Sequence, residues 1–262
     1  MATLPAVLIG RFLAIGLATN GAIWPAMASD RVGLVLLHGK QSAPEQHGAL
    51  ADAAAAAGYL VDQPEMCWSH RRIYDRSYLD CLRDIDDAVA RLKANGATAI
   101  AIGGHGLGAN GALAYGASNR DLKGIIALAP GHRPGRLAAR PPIAQSLATA
   151  RRLLAADRGN ATVAFADFNG PAAIMVTATP KAYLSFFASD SPAVMPANAA
   201  RLTAPLLFVV TADDPLQRRE EIFAKAPPHP HNRYVTLRAG HLGTSAAARD
   251  IVIGWLNELS GR

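Results

Sequence analysis

Three short stretches, each just past an apolar run, carry residue types that together perform acyl-transfer chemistry. The first is "GGHGLGANG", residues 103–111. It reads as a buried strand turning sharply into a helix, with small residues, Gly104 and Gly108, on either side of the central position. Such a turn displays its central residue above a sheet and offers the next backbone N–H, that of Leu107, to developing negative charge at a helix N-terminus. The second is "TADDP", where Asp214, with Asp213 as the alternative, can orient an imidazole and stabilise its charged form. The third is "AGHLGT", where His241 stands as a general base just before a helix. A fourth stretch, "HGKQS", offers a further oxyanion donor, the N–H of Lys40, and His38 there reads as a histidine that orders the loop. What is missing is the nucleophile. Position 106 is glycine, and Ser42, Ser118 and Ser245 all lie off the turn.

Each motif alone has a plain structural reading. Asp before Pro commonly marks a turn or a helix cap. A lone histidine after a strand means little. Their common position at the ends of successive apolar runs gives them weight.

The elements that must position them follow a simple rhythm. Apolar runs at Val32 to Leu37, Tyr59 to Asp62, Ala97 to Gly103, Gly124 to Ala129, Pro205 to Val210 and Arg233 to Leu237 read as six strands. Helices are expected over Pro44 to Ala57, Ser77 to Ala94, Gly108 to Ala117, Leu216 to Ala226 and Ser245 to Leu259. Strands apolar throughout, alternating with helices, predict a mostly parallel sheet covered on both faces, an α/β fold. Chemistry in such sheets gathers at the carboxyl ends of the strands.

Residues 131–204 break the rhythm and read as a cap-like insertion over that edge, before the fifth strand, with a helix near Ile143 to Ala156. Its Tyr183, Phe186 and Phe187 either line a substrate pocket or pack the insertion onto the body. Met66, Trp68 and Tyr74, after the second strand, are candidates for one pocket wall, and His132, after the fourth, for its edge.

At this point the chain resembles the α/β-hydrolase family, in the order nucleophile, acid, histidine at Gly106, Asp214 and His241. The resemblance runs from the "HG" loop to the last helix and lacks two strands often found before that loop. It implies an esterase- or lipase-like serine hydrolase working without a metal or organic cofactor. The family turn here reads "GHSLGA" and this chain reads "GHGLGA". Three readings follow: an ester hydrolase whose serine has been replaced, a non-catalytic relative binding an ester, lipid or peptide in the inherited pocket, or hydrolysis by a water that His241 activates.

The chain ends and composition set the context. Residues 1–28 carry one charged side chain, Arg11, then an apolar run and a small-residue site "AMA". This is the pattern of an export signal cleaved after Ala28, leaving residues 29–262 as the hydrolase domain in the periplasm or outside the cell. No later stretch is long and apolar enough to span a membrane. Of the 262 residues 50% are apolar and 18% charged, which supports one sizeable core and argues against disorder. The net charge of +6 is spread in scattered arginine pairs without interleaved aromatics, which argues against a nucleic-acid platform. Cys67 and Cys81 form an even pair that an oxidising compartment would bridge, closing a short loop worth about 3 kcal/mol in the chain-entropy account. The competing reading of Cys81 is an ordinary buried helix residue. The oligomeric state is not legible.

Overall fold

The structure, a computed structural model, describes residues 1–2, 30–212 and 219–262. The expected export segment therefore lies outside the described residues, apart from its first two. Six parallel strands, β1 (Val32–Leu37), β2 (Leu60–Asp62), β3 (Ala99–His105), β4 (Gly124–Leu128), β7 (Leu206–Thr211) and β8 (Arg233–Leu237), form one sheet in the order β2-β1-β3-β4-β7-β8. All five neighbouring pairs are parallel.

The continuous apolar character of the inner strands has a direct cause. Side chains alternate between faces along a strand. Val32, Leu34, Leu36, Ile126, Leu207 and Val209 pack on one face, against α10 (Arg249–Ser260) and α1 (Gly48–Ala56). Val35, Leu37, Ile102, Ile125, Phe208 and Val210 pack on the other, where α3 (Arg83–Ala94) and α4 (Leu107–Ser118) lie. Both faces are buried, so both sets must be apolar.

Several helices differ from their sequence reading. The stretch from Ser77 divides at Leu82 into α2 (Tyr78–Cys81) and α3. Ser77 caps the first turn through Asp80, and Cys81 is bridged to Cys67 with the Cα atoms 5.5 Å apart. The helix after Pro44 starts as a 3-10 turn over Pro44–His47 before α1. The helix expected over Leu216 to Ala226 is absent where the chain is described. Residues 219–226 hold only a 3-10 turn, Phe223–Lys225, because Phe223 is drawn against Phe208 and Tyr234, ring centroids 6.0 and 5.4 Å away. The last helix is divided too, into α9 (Thr244–Ala247) and α10.

The insertion between β4 and β7 holds α5 (Pro134–Ala138), α6 (Pro141–Ala155), an antiparallel hairpin of β5 (Val163–Asn169) and β6 (Ala172–Ala178), then α7 (Pro180–Phe187) and α8 (Met195–Ala199). Its apolar runs at residues 162–166 and 174–177 are the two arms of that hairpin.

Candidate active site

Gly106 sits between β3 and α4 with φ +57° and ψ −114°. Only glycine adopts such angles freely; any other residue there stores strain on the order of 1–3 kcal/mol. The turn is pinned on three sides. The Gly106 N–H donates to Leu128 O at 3.1 Å, and Gly106 O accepts from Gly131 N at 2.9 Å and Asn110 N at 3.2 Å. Leu107 opens α4, so its N–H has no partner within the helix.

His241, after β8, faces this turn. A Cβ built on Gly106 lies 3.9 Å from His241 Nε2 and 3.9 Å from Gly39 Cα. The structure therefore brings together the nucleophile position, the histidine and the "HG" loop. Asp214 and its alternative Asp213 lie outside the described residues.

A hydrogen-bonded chain ties these parts to one another. Gly39 N–H donates to Gln46 Oε1 at 2.6 Å, which fixes the amide so that Gln46 Nε2 donates to His105 Nδ1 at 3.1 Å. With Nδ1 accepting, His105 carries its proton on Nε2 and donates it to the His241 carbonyl at 2.9 Å. The His105 ring also meets the His241 ring edge-on at 4.6 Å. Gln46 and His105 were not singled out from sequence. His105 flanks position 106 in the turn and was the one available signal; Gln46 comes from the helical stretch after β1 and gave none. Gln46→Ala strips the buried Gly39 N–H of its acceptor. The expected loss is about 1–3 kcal/mol of stability, read by urea denaturation. An unchanged midpoint would show the bond to be dispensable.

The loop carrying Lys40 is held from behind by His38. Met66 N–H donates to His38 Nε2 at 3.0 Å, leaving Nδ1 to donate to Gly39 O at 2.8 Å, and Trp68 Nε1 donates to His38 O at 2.9 Å. Burial lowers the His38 pKa, so it is a neutral structural residue. The Lys40 side chain reaches across to the insertion. Its Nζ pairs with Asp167 at 2.7 Å and donates to Phe168 O at 3.1 Å, while Tyr74 donates its hydroxyl to the other Asp167 oxygen at 2.7 Å. Asp167 is fully buried, and a buried carboxylate is tolerable only with such complete pairing.

A cleft of about 1000 Å³ opens beside Gly106. Lys40, Leu107, His132 and His241 line it, with Phe168 and Leu137 from the insertion. Six other expected wall residues do not. Met66, Trp68, Tyr74, Tyr183, Phe186 and Phe187 are each 0–1% exposed and lie in the core. Tyr183 stacks on Phe165 and Phe187 at 4.4 Å, and Tyr74 meets Phe186 at 4.7 Å. Large rings gain more by burying their whole surface than by edging a pocket, and here they clamp the insertion onto the body.

His132 donates from Nε2 to Phe186 O at 2.8 Å, so its Nδ1 is an acceptor, buried and without a hydrogen-bond partner. Burial first, then the Lys40 charge, lowers its pKa to about 3, and burial lowers that of His47 to about 4. Both are neutral in the fold, while an unfolded histidine titrates near 6.5. Above that value the difference does not matter. As pH falls below it the unfolded chain takes up protons that the folded chain refuses, so stability is lost between about 6.5 and 3. Urea midpoints are expected to hold level from about pH 8 to about pH 7 and to fall from there towards about pH 5; a profile flat throughout would contradict the buried neutral pair.

Among the described residues no group of three or more His, Cys, Asp or Glu is placed to hold a metal ion, and no helix is long and apolar enough to cross a membrane.

Residues 34–252 match the model described as "Alpha/beta hydrolase family". No curated protein matches the chain. Among solved structures it is similar to one from a study of LipS and LipT, two metagenome-derived lipolytic enzymes. The TM-score is 0.62 and the identity 18%, over 89% of this chain and 95% of that one. It is similar to the monoacylglycerol lipase of Paleococcus ferrophilus, TM-score 0.63 and 18% identity, over 88% and 96% of the two chains. It is also similar to the proline iminopeptidase of Mycobacterium smegmatis, TM-score 0.54 and 15% identity, over 88% and 90%. These likenesses carry the fold alone, since the activities named differ.

Proposed function

Because the chain belongs to the alpha/beta hydrolase family, we propose that it is built for exported hydrolysis of carboxylic esters by a nucleophile–histidine–aspartate mechanism, with the nucleophile position held by Gly106. One observation carries this reading. A side chain at position 106 would start 3.9 Å from His241 Nε2, on backbone angles that a hydrolytic turn uses.

In the serine-bearing form the hydroxyl attacks the ester carbonyl. His241 takes its proton and returns it to the leaving alcohol, while Asp214 holds the imidazole and stabilises its charge. The N–H groups of Leu107 and Lys40 receive the oxyanion. The Gly39–Gln46–His105 chain keeps the second of these loops in register with His241. Export into the periplasm or beyond rests on the sequence of residues 1–28 and accords with the bridged cysteines.

The chain as it stands lacks the acyl-enzyme route. A second reading, a non-catalytic relative that binds its ligand, is favoured by the open cleft of about 1000 Å³ beside an unsubstituted turn. Restoring the hydroxyl with Gly106→Ser and assaying a short-chain chromogenic ester separates the two. The third route, a water activated by His241, predicts turnover in the unaltered chain that His241→Ala removes.

A further inference from the structure

The mouth of the cleft is unusual in charge. Lys40, Arg133, Arg136 and Arg140 line it, and no Asp or Glu does among the described residues. Two of the four cations are committed. Lys40 is neutralised by Asp167, and Arg133 is paired with Glu221. The same Glu221 also meets Arg136, at 3.2 Å. Arg136 remains 50% exposed.

Arg140 stands differently. Its guanidinium carbon lies over the Phe168 ring, 3.1 Å from the centroid. A guanidinium carries five N–H donors, and the ring can accept none of them as a carboxylate would. Arg136, on α5, and Arg140, the extended residue just before α6, both line this cleft. Two cations on the lining of a cleft that carries no carboxylate among the described residues make a site for a negatively charged ligand group.

We propose that the cleft takes an ester whose non-reacting end carries an ionised carboxylate, received by Arg136 and Arg140 while the ester carbonyl lies at Gly106. This rests on the ester-hydrolase reading of the cleft. Hydrogen bonds between a guanidinium and a carboxylate give direction as well as charge, so the pair sets which end of the substrate enters first.

The test uses the chain with Gly106 in place, which lacks the acyl-enzyme route. Monobenzyl succinate and benzyl butyrate share the ester and its length but differ in the terminal carboxylate. By calorimetry the hemisuccinate is expected to bind about five- to tenfold more tightly at low salt, near 20 mM. That gap is expected to shrink near 0.5 M salt, where screening is strong. Arg136→Gln/Arg140→Gln is expected to abolish the gap with an unchanged circular dichroism spectrum; the single half-exposed Arg136→Gln, expected to halve it, serves if the double variant does not fold. Equal binding of the two ligands, no binding of the hemisuccinate, or a gap that survives the substitutions would overturn the proposal. Its failure is distinct from that of the hydrolase reading. A Gly106→Ser chain that turns over both esters equally keeps the chemistry and removes the carboxylate site. A carboxylate preference in binding without any turnover by Gly106→Ser does the reverse.

Discussion

Gly106→Ser is expected to raise turnover of a short-chain chromogenic ester by about three orders of magnitude or more. The magnitude comes from what a missing nucleophile removes. Knocking out one member of a serine triad costs on the order of 10⁶ in rate, and the remaining oxyanion site and binding surface supply about 10³–10⁴ over water. The geometry for the gain is already in place. The Cβ would sit 3.9 Å from both His241 Nε2 and Gly39 Cα, the closest atoms it meets, so nothing described obstructs it. One further bond toward the imidazole brings the oxygen into hydrogen-bond range, about 2.6–3.2 Å. The stability effect should have the opposite sign. With φ at +57°, a serine there stores strain of roughly 1–3 kcal/mol, so the melting temperature should fall or stay level. A folded Gly106→Ser protein with no gain in rate would favour the ligand-binding reading. A gain that His241→Ala fails to remove would show that the added hydroxyl acts without the proposed base.

How much of this was readable in the chain follows from the range of each interaction. The inner strands were legible because both their faces are buried, which leaves every residue of Val32–Leu37 and five of the six in Leu206–Thr211 apolar. The turn at Gly106 was legible because its glycine spacing is local. The Gly39–Gln46–His105–His241 chain was not, since its members follow β1, end β3 and follow β8, and meet only once the sheet is assembled. The aromatic residues of the insertion had two readings because a Phe at helical spacing is the same signal for a pocket and for a core. The partners that decide it, Phe165 and Tyr74, come from β5 and from the loop after β2. Asp167 and Lys40 are 127 residues apart, and nothing near either announces the other. Over the described residues 219–226 the expected helix gives way to a 3-10 turn whose Phe223 packs on Phe208 and Tyr234, contacts of the same long-range kind.

Gly108→Ala is expected to be the most damaging small substitution in the turn, costing about 3–5 kcal/mol or preventing folding. A Cβ at Gly108 would run into the carbonyl oxygens of Leu37 and His38 at the end of β1. Overpacking is relieved when a neighbour can move, and here neither can. Leu37 O already accepts from His47 Nε2 at 3.0 Å, and His38 O from Trp68 Nε1 at 2.9 Å. Shifting them would break two buried hydrogen bonds and drag the loop that carries Lys40. Gly104 is constrained in the same way, because its Cβ would meet the Gly108 carbonyl group. Gly106→Ala makes the contrasting control, since it adds strain but meets only ordinary contacts at 3.9 Å. Urea denaturation of the three alanine variants should therefore rank Gly106 well above Gly104 and Gly108 in residual stability. A Gly108→Ala protein as stable as the Gly106→Ala protein would contradict the close packing of β1 on α4. The ranking also bears on function. The flanking glycines are imposed by backbone contact, whereas the space above position 106 accommodates a side chain that this chain does not carry. Glycine at that position is therefore not required by packing, and its consequence falls on the chemistry.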